Sequence, residues 1–158
     1  MDFSDWLLAL HLLAAFALMA ALVLISAVIV AGWAVDQPRR AVAYGRVASI
    51  GGPLIGTGMG LALLFGIVLA IDLDEYQVWD AWILISIVLW AVGGASGSRV
   101  GAHYASAQEL AERLAGSGDE PSSELAARLS DRRAATLFAA AVLAFTVILV
   151  LMIFKPGA

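Results

Sequence analysis

Two histidines have the clearest capacity for chemistry in this 158-residue chain, His11 and His103. Imidazole is a common ligand of haem iron and of copper, so each residue raises the question of a cofactor site. The rise of about 1.5 Å per helical residue separates the two by about 25 Å or more along the helix axes. One metal ion therefore cannot bind both, which leaves a site at His11 alone or one shared between subunits. The structural alternative for each is a neutral imidazole bonded to a carbonyl group or to water.

The remaining polar groups give no catalytic arrangement. Hydroxyls within the apolar segments usually bond to a helix carbonyl, and here they are Ser26, Thr57, Ser86, Ser96 and Thr146. A run of carboxylates that could attract a divalent cation is usually solvated, and here it comprises Asp72, Asp74, Glu75 and Asp80. The sequence has no Ser-His-Asp set, and the glycines of residues 56–60 follow no strand, so they are not a dinucleotide loop. We predict no enzyme activity and no metal site.

Composition places these residues in a membrane protein. Hydrophobic residues make up 62% of the chain, charged residues 14%, and the mean hydropathy is +0.92. Four segments without Asp, Glu, Lys or Arg are long enough to cross about 30 Å of hydrocarbon, at about 6–35, 47–71, 81–98 and 134–154. Because ion-coupled transporters normally carry charged groups within their spans, coupled transport is disfavoured. The acidic N-terminus and the length of the first segment argue against a cleaved signal peptide.

The distribution of cations predicts the orientation. Eight of the nine Lys and Arg residues lie in the two connections that follow the first and third segments, and only Lys155 lies on the other side. Since cationic loops are retained in the cytoplasm, both termini should face away from the cytoplasm. Asp36 with Pro38 either ends the first helix or starts the second. No basic cluster indicates nucleic acid, and the absence of Cys removes disulfides and thiolate metal sites.

Small residues recur every four positions in the middle segments, a pattern that lets helices pack closely in lipid. The second segment has Gly52, Gly56 and Gly60, and the third has Gly93, Gly97 and Gly101. We expect these glycines to join the two segments back to back, or alternatively to form a homodimer. Pro53 should kink the second helix, with Thr57 or water bonding the backbone groups that it leaves free.

Helical spacing continues past the third segment, because Val100, Tyr104, Ala107 and Ala111 lie on one stripe. We therefore predict one domain over residues 1–158, an all-α, integral membrane four-helix bundle. Its third and fourth helices extend into a cytoplasmic helical hairpin at about residues 99–133.

Short motifs resemble a bacterial family of predicted four-span integral membrane proteins, domain of unknown function 2269. They are Leu10-His11-Leu12, Pro53 with Thr57-Gly58, Trp82, and the C-terminal run Leu151 to Gly157. The resemblance covers nearly the whole chain and implies the same four-helix architecture, with no established activity. A more distant likeness is to copper-resistance D-type and b-type haem membrane proteins, which also place a histidine early in the first helix.

These observations favour a non-enzymatic structural or interaction protein of the inner membrane, without a cofactor. Its partners would be the lipid bilayer and either further copies of itself or another membrane protein. One alternative is a haem- or copper-binding redox protein that uses His11. Another is a small-solute pore or carrier, although the helices offer only scattered hydroxyls as a polar path.

Overall fold

The chain folds into helices throughout the part that the computed structural model describes, residues 2–72, 77 and 79–156. They are α1 (Phe3–Gly32), α2 (Pro38–Asp72), α3 (Ala81–Ser117), α4 (Ser123–Leu129) and α5 (Arg132–Phe154). Four stretches are long and apolar enough to cross a membrane: α1, α2, α3, and α4 with α5 as Ser123–Phe154. The predicted all-α architecture with four membrane-spanning helices is confirmed.

Two of the helices are much longer than a bilayer requires. The 35 residues of α2 and the 37 residues of α3 span about 52 and 55 Å, against about 30 Å of hydrocarbon. Both extend beyond the apolar region at the arginine-rich end of the bundle. There α3 continues to Ser117, turns, and is followed by the short α4 and the start of α5. The third helix therefore extends beyond the apolar region and turns back as a hairpin with α4, whereas the predicted extension of the fourth helix is interrupted at residues 130–131. The cytoplasmic location of the hairpin stays a prediction.

A central core holds α1, α3 and α5 together. Its buried side chains are Leu18, Leu22, Ile29, Val100, Phe138, Phe145 and Ile148. The four spans contribute unequally, since 28% of the most apolar stretch is buried in α1 and in residues 123–154 but only 6% in α2. Most of the surface of α2 within the bilayer region therefore faces away from the bundle.

A second, smaller core lies at the arginine-rich end. It consists of Val35, Ala41, Leu110, Ala111 and Leu125, with Val42, Leu114 and Leu129 packed against it. Leu125 of α4 and Pro38 at the start of α2 are fully buried. This cluster joins the α1–α2 turn to the hairpin. The hairpin is therefore packed against the turn. Removal of apolar surface from water stabilises this contact.

Asp119 ties the same two regions together through the backbone. Its Oδ1 accepts the N–H of Arg39 at 2.7 Å, and the N–H of Ser122 donates to the carbonyl of Asp36 at 3.0 Å. From the sequence, Asp36 was a candidate either for the end of the first helix or for the start of the second. The structure instead supplies the acceptor from the α3–α4 loop, eighty positions along the chain, so a tertiary contact caps the helix.

We predict that Asp119→Ala lowers the free energy of unfolding by about 1–2 kcal/mol, because it removes a helix cap and places Ala at positive φ. Asp119 has φ 62°, a conformation that Asn tolerates, so Asp119→Asn should retain most of the stability. Thermal unfolding in detergent measures the difference. Glu120→Ala is the matched control on the neighbouring exposed residue. Equal melting temperatures for Asp119→Ala and Glu120→Ala would contradict the assignment.

Candidate functional site

His11 lies in the contact between α1 and α2, and its side chain is buried, with 7% of the residue exposed. The ring Nδ1 is 2.8 Å from the carbonyl oxygen of Ala62. Because a carbonyl can only accept, Nδ1 carries the hydrogen and donates, and in the neutral ring Nε2 is then the unprotonated nitrogen. His11 therefore makes the carbonyl bond expected of a structural histidine, and this bond joins two helices.

Glycines of α2 create the space that α1 occupies. A Cβ added to Gly66 would lie 2.9 Å from Cε1 of His11, and one added to Gly58 would lie 3.2 Å from the backbone N and Cα of Leu18. At Gly51 the added Cβ would lie 2.7 Å from Cδ1 of Ile25. We call Gly51, Gly58 and Gly66 the inner glycine line. Gly58 lets the backbone of α1 approach α2 closely, and Gly51 and Gly66 leave room for the side chains of Ile25 and His11.

A second ring donor reaches α2 from the other neighbouring helix. Nε1 of Trp90 in α3 donates to the carbonyl of Met59 at 3.3 Å. Gly94 of α3 accommodates the end of the Met59 side chain, whose Cε would be 2.9 Å from an added Cβ. Two carbonyls of α2, those of Met59 and Ala62, thus accept ring N–H groups from α3 and α1. These contacts form the junction of α1, α2 and α3.

The glycines singled out by the four-residue spacing lie elsewhere. Gly52, Gly56 and Gly60, the outer glycine face, are exposed, and a Cβ added to any of them would have nothing within 4 Å. The expectation that they join α2 to α3 within one chain is therefore wrong, because they point away from the bundle. The homodimer alternative for this face is untouched by that correction and stays a prediction.

The three predicted glycines of α3 have different surroundings. Gly93 is buried, and an added Cβ would lie 3.0 Å from the Phe145 ring and 3.6 Å from Cβ of Ala144. It therefore packs on α5 and not on α2. Gly97 and Gly101 have nothing within 4 Å of an added Cβ. The α2–α3 contact runs instead through Met59 and, at the arginine-rich end, through Gly45, which the side chain of Gln108 covers.

Pro53 and Thr57 lie on the exposed side of α2. The helix runs unbroken from Pro38 to Asp72, past the proline. Hydroxyls of the other helices bond to their own backbone, as those of Ser26 and Thr146 do at 2.7 and 2.9 Å. The Thr57 hydroxyl makes no hydrogen bond to the described residues. The kink at Pro53 stays a prediction.

His103 belongs to a different part of the molecule. Its Nε2 donates to the carbonyl of Arg128 at 3.0 Å and lies 4.0 Å from Oδ2 of Asp131, the residue that caps α5. Since Gln108 lies on Gly45 and the helices are antiparallel, His103 is about 20 Å from the level of Ala62 along α2. The two histidines therefore do not share a site within one chain.

The two described carboxylates of the acidic turn both accept hydrogen bonds. Asp72 accepts the hydroxyl of Ser4 at 2.8 Å, and Asp80 accepts the N–H of Gln77 at 3.0 Å. Asp74 and Glu75 lie outside the described residues. Within the described ranges no three His, Asp or Glu side chains are grouped so that they could hold a metal ion.

Sequence reasoning missed the inner glycine line because it searched for a spacing of four. The buried residues of α1 alternate spacings of four and three, at Leu7, His11, Ala14, Leu18 and Ala21. That is the 3.5-residue repeat of coiled-coil packing, in which a helix contacts its partner every seven residues. Gly51 and Gly58 are seven residues apart, so a seven-residue search of α2 against α1 would have found them.

Comparison with known proteins places the chain in one family. The family model described as "Predicted integral membrane protein (DUF2269)" matches residues 5–156, almost the whole chain. No curated protein and no solved structure matches it.

We predict that Gly58→Ala destabilises the protein by about 1–3 kcal/mol, the usual cost of overpacking a close contact. The added methyl would press on the backbone of Leu18, which cannot move aside without shifting α1. Gly56→Ala is the matched control, two residues away on the open side of the same helix. Thermal unfolding of the two variants in the same detergent measures the difference, and equal destabilisation would contradict the inner glycine line.

Proposed function

The chain belongs to the DUF2269 family of predicted integral membrane proteins, and we propose that it acts in the membrane as a structural or interaction protein without catalytic activity. It would work as a homo-oligomer or as an accessory subunit of a larger complex. One observation carries the proposal: the outer glycine face contacts none of the described residues, although its glycines have the spacing of a closely packed helix. The ring N–H groups of His11 and Trp90 are meanwhile used to join helices.

The shape of the outer glycine face favours another helix as its neighbour. The exposed residues of α2 repeat in pairs four positions apart, Gly52-Pro53, Gly56-Thr57 and Gly60-Leu61. Glycines spaced this way leave a shallow groove along the helix. In lipid, where the hydrophobic effect does not drive helices together, dispersion contacts across such a groove are a main source of association.

A second copy of the chain is the partner that we propose first. Copies inserted in the same direction are parallel, and a two-fold axis along the membrane normal brings identical faces together at the same depth. The Thr57 hydroxyl lies beside Gly56 and lacks a bond within the described chain, so it is available to a carbonyl of the partner helix. Hydrogen bonds of this kind contribute about 0.6 kcal/mol on average.

We also propose that the protein lies in the bacterial inner membrane with both termini outside and the hairpin in the cytoplasm. The support is the segregation of eight of the nine Lys and Arg residues to the connections at the hairpin end. A reporter enzyme that is active only in the periplasm should be active when it is fused after residue 158. Activity there of a reporter that works only in the cytoplasm would contradict the proposed orientation.

A haem or copper site at His11 remains the second candidate. The bond from Nδ1 to Ala62 fixes the tautomer that leaves Nε2 as the ligand atom, an arrangement common among metal-binding histidines. An absorption spectrum and metal analysis of the purified protein test this candidate. Absence of a Soret band and of copper after isolation from native membranes would remove it.

The cysteine-free sequence allows a direct test of the homo-oligomer. We predict that Thr57→Cys forms disulfide-linked dimers in membranes on mild oxidation, because a two-fold contact through the outer glycine face brings the two positions together. Val88→Cys is the control, since Val88 is 61% exposed on α3. Crosslinking of Thr57→Cys at no more than the level of Val88→Cys would contradict the proposed interface.

Adding Gly56→Leu to the Thr57→Cys chain should abolish crosslinking, because the larger side chain holds the two backbones apart. The space around Gly56 is open, so the monomer should keep its helical content and melting temperature. Gly97→Leu, added to the Thr57→Cys chain, tests by the same crosslinking assay whether the glycines of α3 take part in the contact. Retained crosslinking in the Gly56→Leu background would place the contact on another surface.

A further inference from the structure

Four arginines lie at one level around the bundle. Arg46 of α2 follows Gly45, which Gln108 covers, so it is level with about residue 107 of α3. His103 bonds to the carbonyl of Arg128, which brings the first turn of α5 close to the level of Arg99. These positions fall within about 12 Å along α3. We call the set the arginine ring: Arg46, Arg99, Arg132 and Arg133.

The arginine ring lies where the exposed apolar surface of the bundle ends. On α1 and α2 the last large exposed apolar and aromatic residues toward this end are Trp33, Tyr44 and Val47. Trp33 is the C-cap residue of α1, and the contacts of Gly51 with Ile25 and of Gly58 with Leu18 put it level with about residue 43 of α2. Tryptophan and tyrosine favour the boundary between hydrocarbon and headgroups. The ring is therefore at the depth of the lipid phosphates.

The guanidinium groups of the ring form no ion pair with the described residues. All four residues are exposed, and no described carboxylate oxygen lies within 4.0 Å of their guanidinium nitrogens. The nearest acidic group is Asp131, which accepts the backbone N–H of Arg133 at 2.7 Å. The backbone N–H groups of Ala134 and Arg133 lower the pKa of Asp131, and the Arg133 charge helps to lower it. Two arginines farther from the apolar surface do have such partners, Arg39 with Asp119 and Arg128 with Glu124. The positive charge at the membrane boundary is thus left for a partner from outside the chain.

We propose that the arginine ring binds the headgroups of anionic phospholipids in the adjacent leaflet. One guanidinium group can donate two parallel hydrogen bonds to two oxygens of a phosphate, and it is less strongly hydrated than an ammonium group. Four of them on three helices provide several headgroup contacts around the bundle. The ring fixes the depth of the bundle in the bilayer, and it acts independently of the contact proposed for the outer glycine face.

The test uses the full-length protein in phosphatidylcholine vesicles that contain a trace of spin-labelled phosphatidylglycerol or phosphatidylcholine. Electron paramagnetic resonance gives the relative association constant of each lipid from the fraction immobilised at the protein. One arginine near a charged surface contributes about 1 kcal/mol, so we expect a preference for phosphatidylglycerol of about fivefold at low salt. Salt at about 0.5 M screens charges that are more than a few ångströms apart. It should therefore reduce the preference for phosphatidylglycerol.

The variant R46Q/R99Q/R132Q/R133Q should lose the preference, and Arg113→Gln should keep it. Arg113 is exposed on α3 and lies ten residues past His103. It is therefore about 15 Å farther than His103 from the apolar surface. If the fourfold variant does not fold, judged by circular dichroism, then R46Q/R99Q and R132Q/R133Q should each show an intermediate preference. Inorganic phosphate at 10 mM would occupy a site for a free anion whose dissociation constant is about 1 mM. Adding it should leave the preference for phosphatidylglycerol unchanged.

Three outcomes would overturn the proposal. A relative association constant near one for the unaltered protein would show that the ring does not select anionic lipids. Loss of the preference in Arg113→Gln to the same extent would assign it to net charge alone. Loss on addition of inorganic phosphate would identify a site for a soluble anion in place of a lipid headgroup.

Discussion

The structure depends on one constraint: within a bilayer, helices must be held together without help from water. Apolar surfaces gain nothing by leaving lipid for protein, so packing and hydrogen bonds between helices must supply the contact energy. The inner glycine line meets this constraint, because it lets the backbone of α1 approach that of α2. Close approach in turn brings the imidazole of His11 within bonding distance of the Ala62 carbonyl. A bulkier residue at Gly66 would occupy the space in which that imidazole lies.

The two ends of α2 follow different physical rules. In the bilayer it contacts its neighbours through glycines and carbonyls, with little buried area. At the arginine-rich end it packs through Pro38 and Ala41 into a small apolar core, and its first turn is capped by Asp119 from the loop after α3. Burial and capping of this kind are effective only where water is the alternative environment. The position of α2 is thus fixed at both ends by separate means.

What remains unsatisfied in the chain indicates where other molecules would bind. The polar groups at the α1–α2–α3 junction are already bonded to one another, and His103 is bonded within the hairpin. Two surfaces differ from the rest, the outer glycine face at mid-depth and the arginine ring at the membrane boundary. The outer glycine face offers an uncharged groove and suits a helix. The guanidinium groups of the arginine ring form no ion pair with the described residues, and they suit an anionic headgroup.

Hydropathy and composition alone determined the all-α class, the four membrane-spanning helices and the hairpin, because apolar length and helical spacing are local properties of the chain. A neutral His11 bonded to a carbonyl group or to water was one of the alternatives that the sequence left open, and the structure shows the bond to Ala62. Which glycines pack inward was decided only by the tertiary structure: both spacings occur in α2, and the direction of a face depends on where α1 and α3 lie around it. The cap on α2 could not be read from neighbouring residues either, since Asp119 is brought to Arg39 by the packing of Leu125 and Pro38. Local sequence fixes how far each helix runs, and only the assembled bundle decides which of its sides is covered.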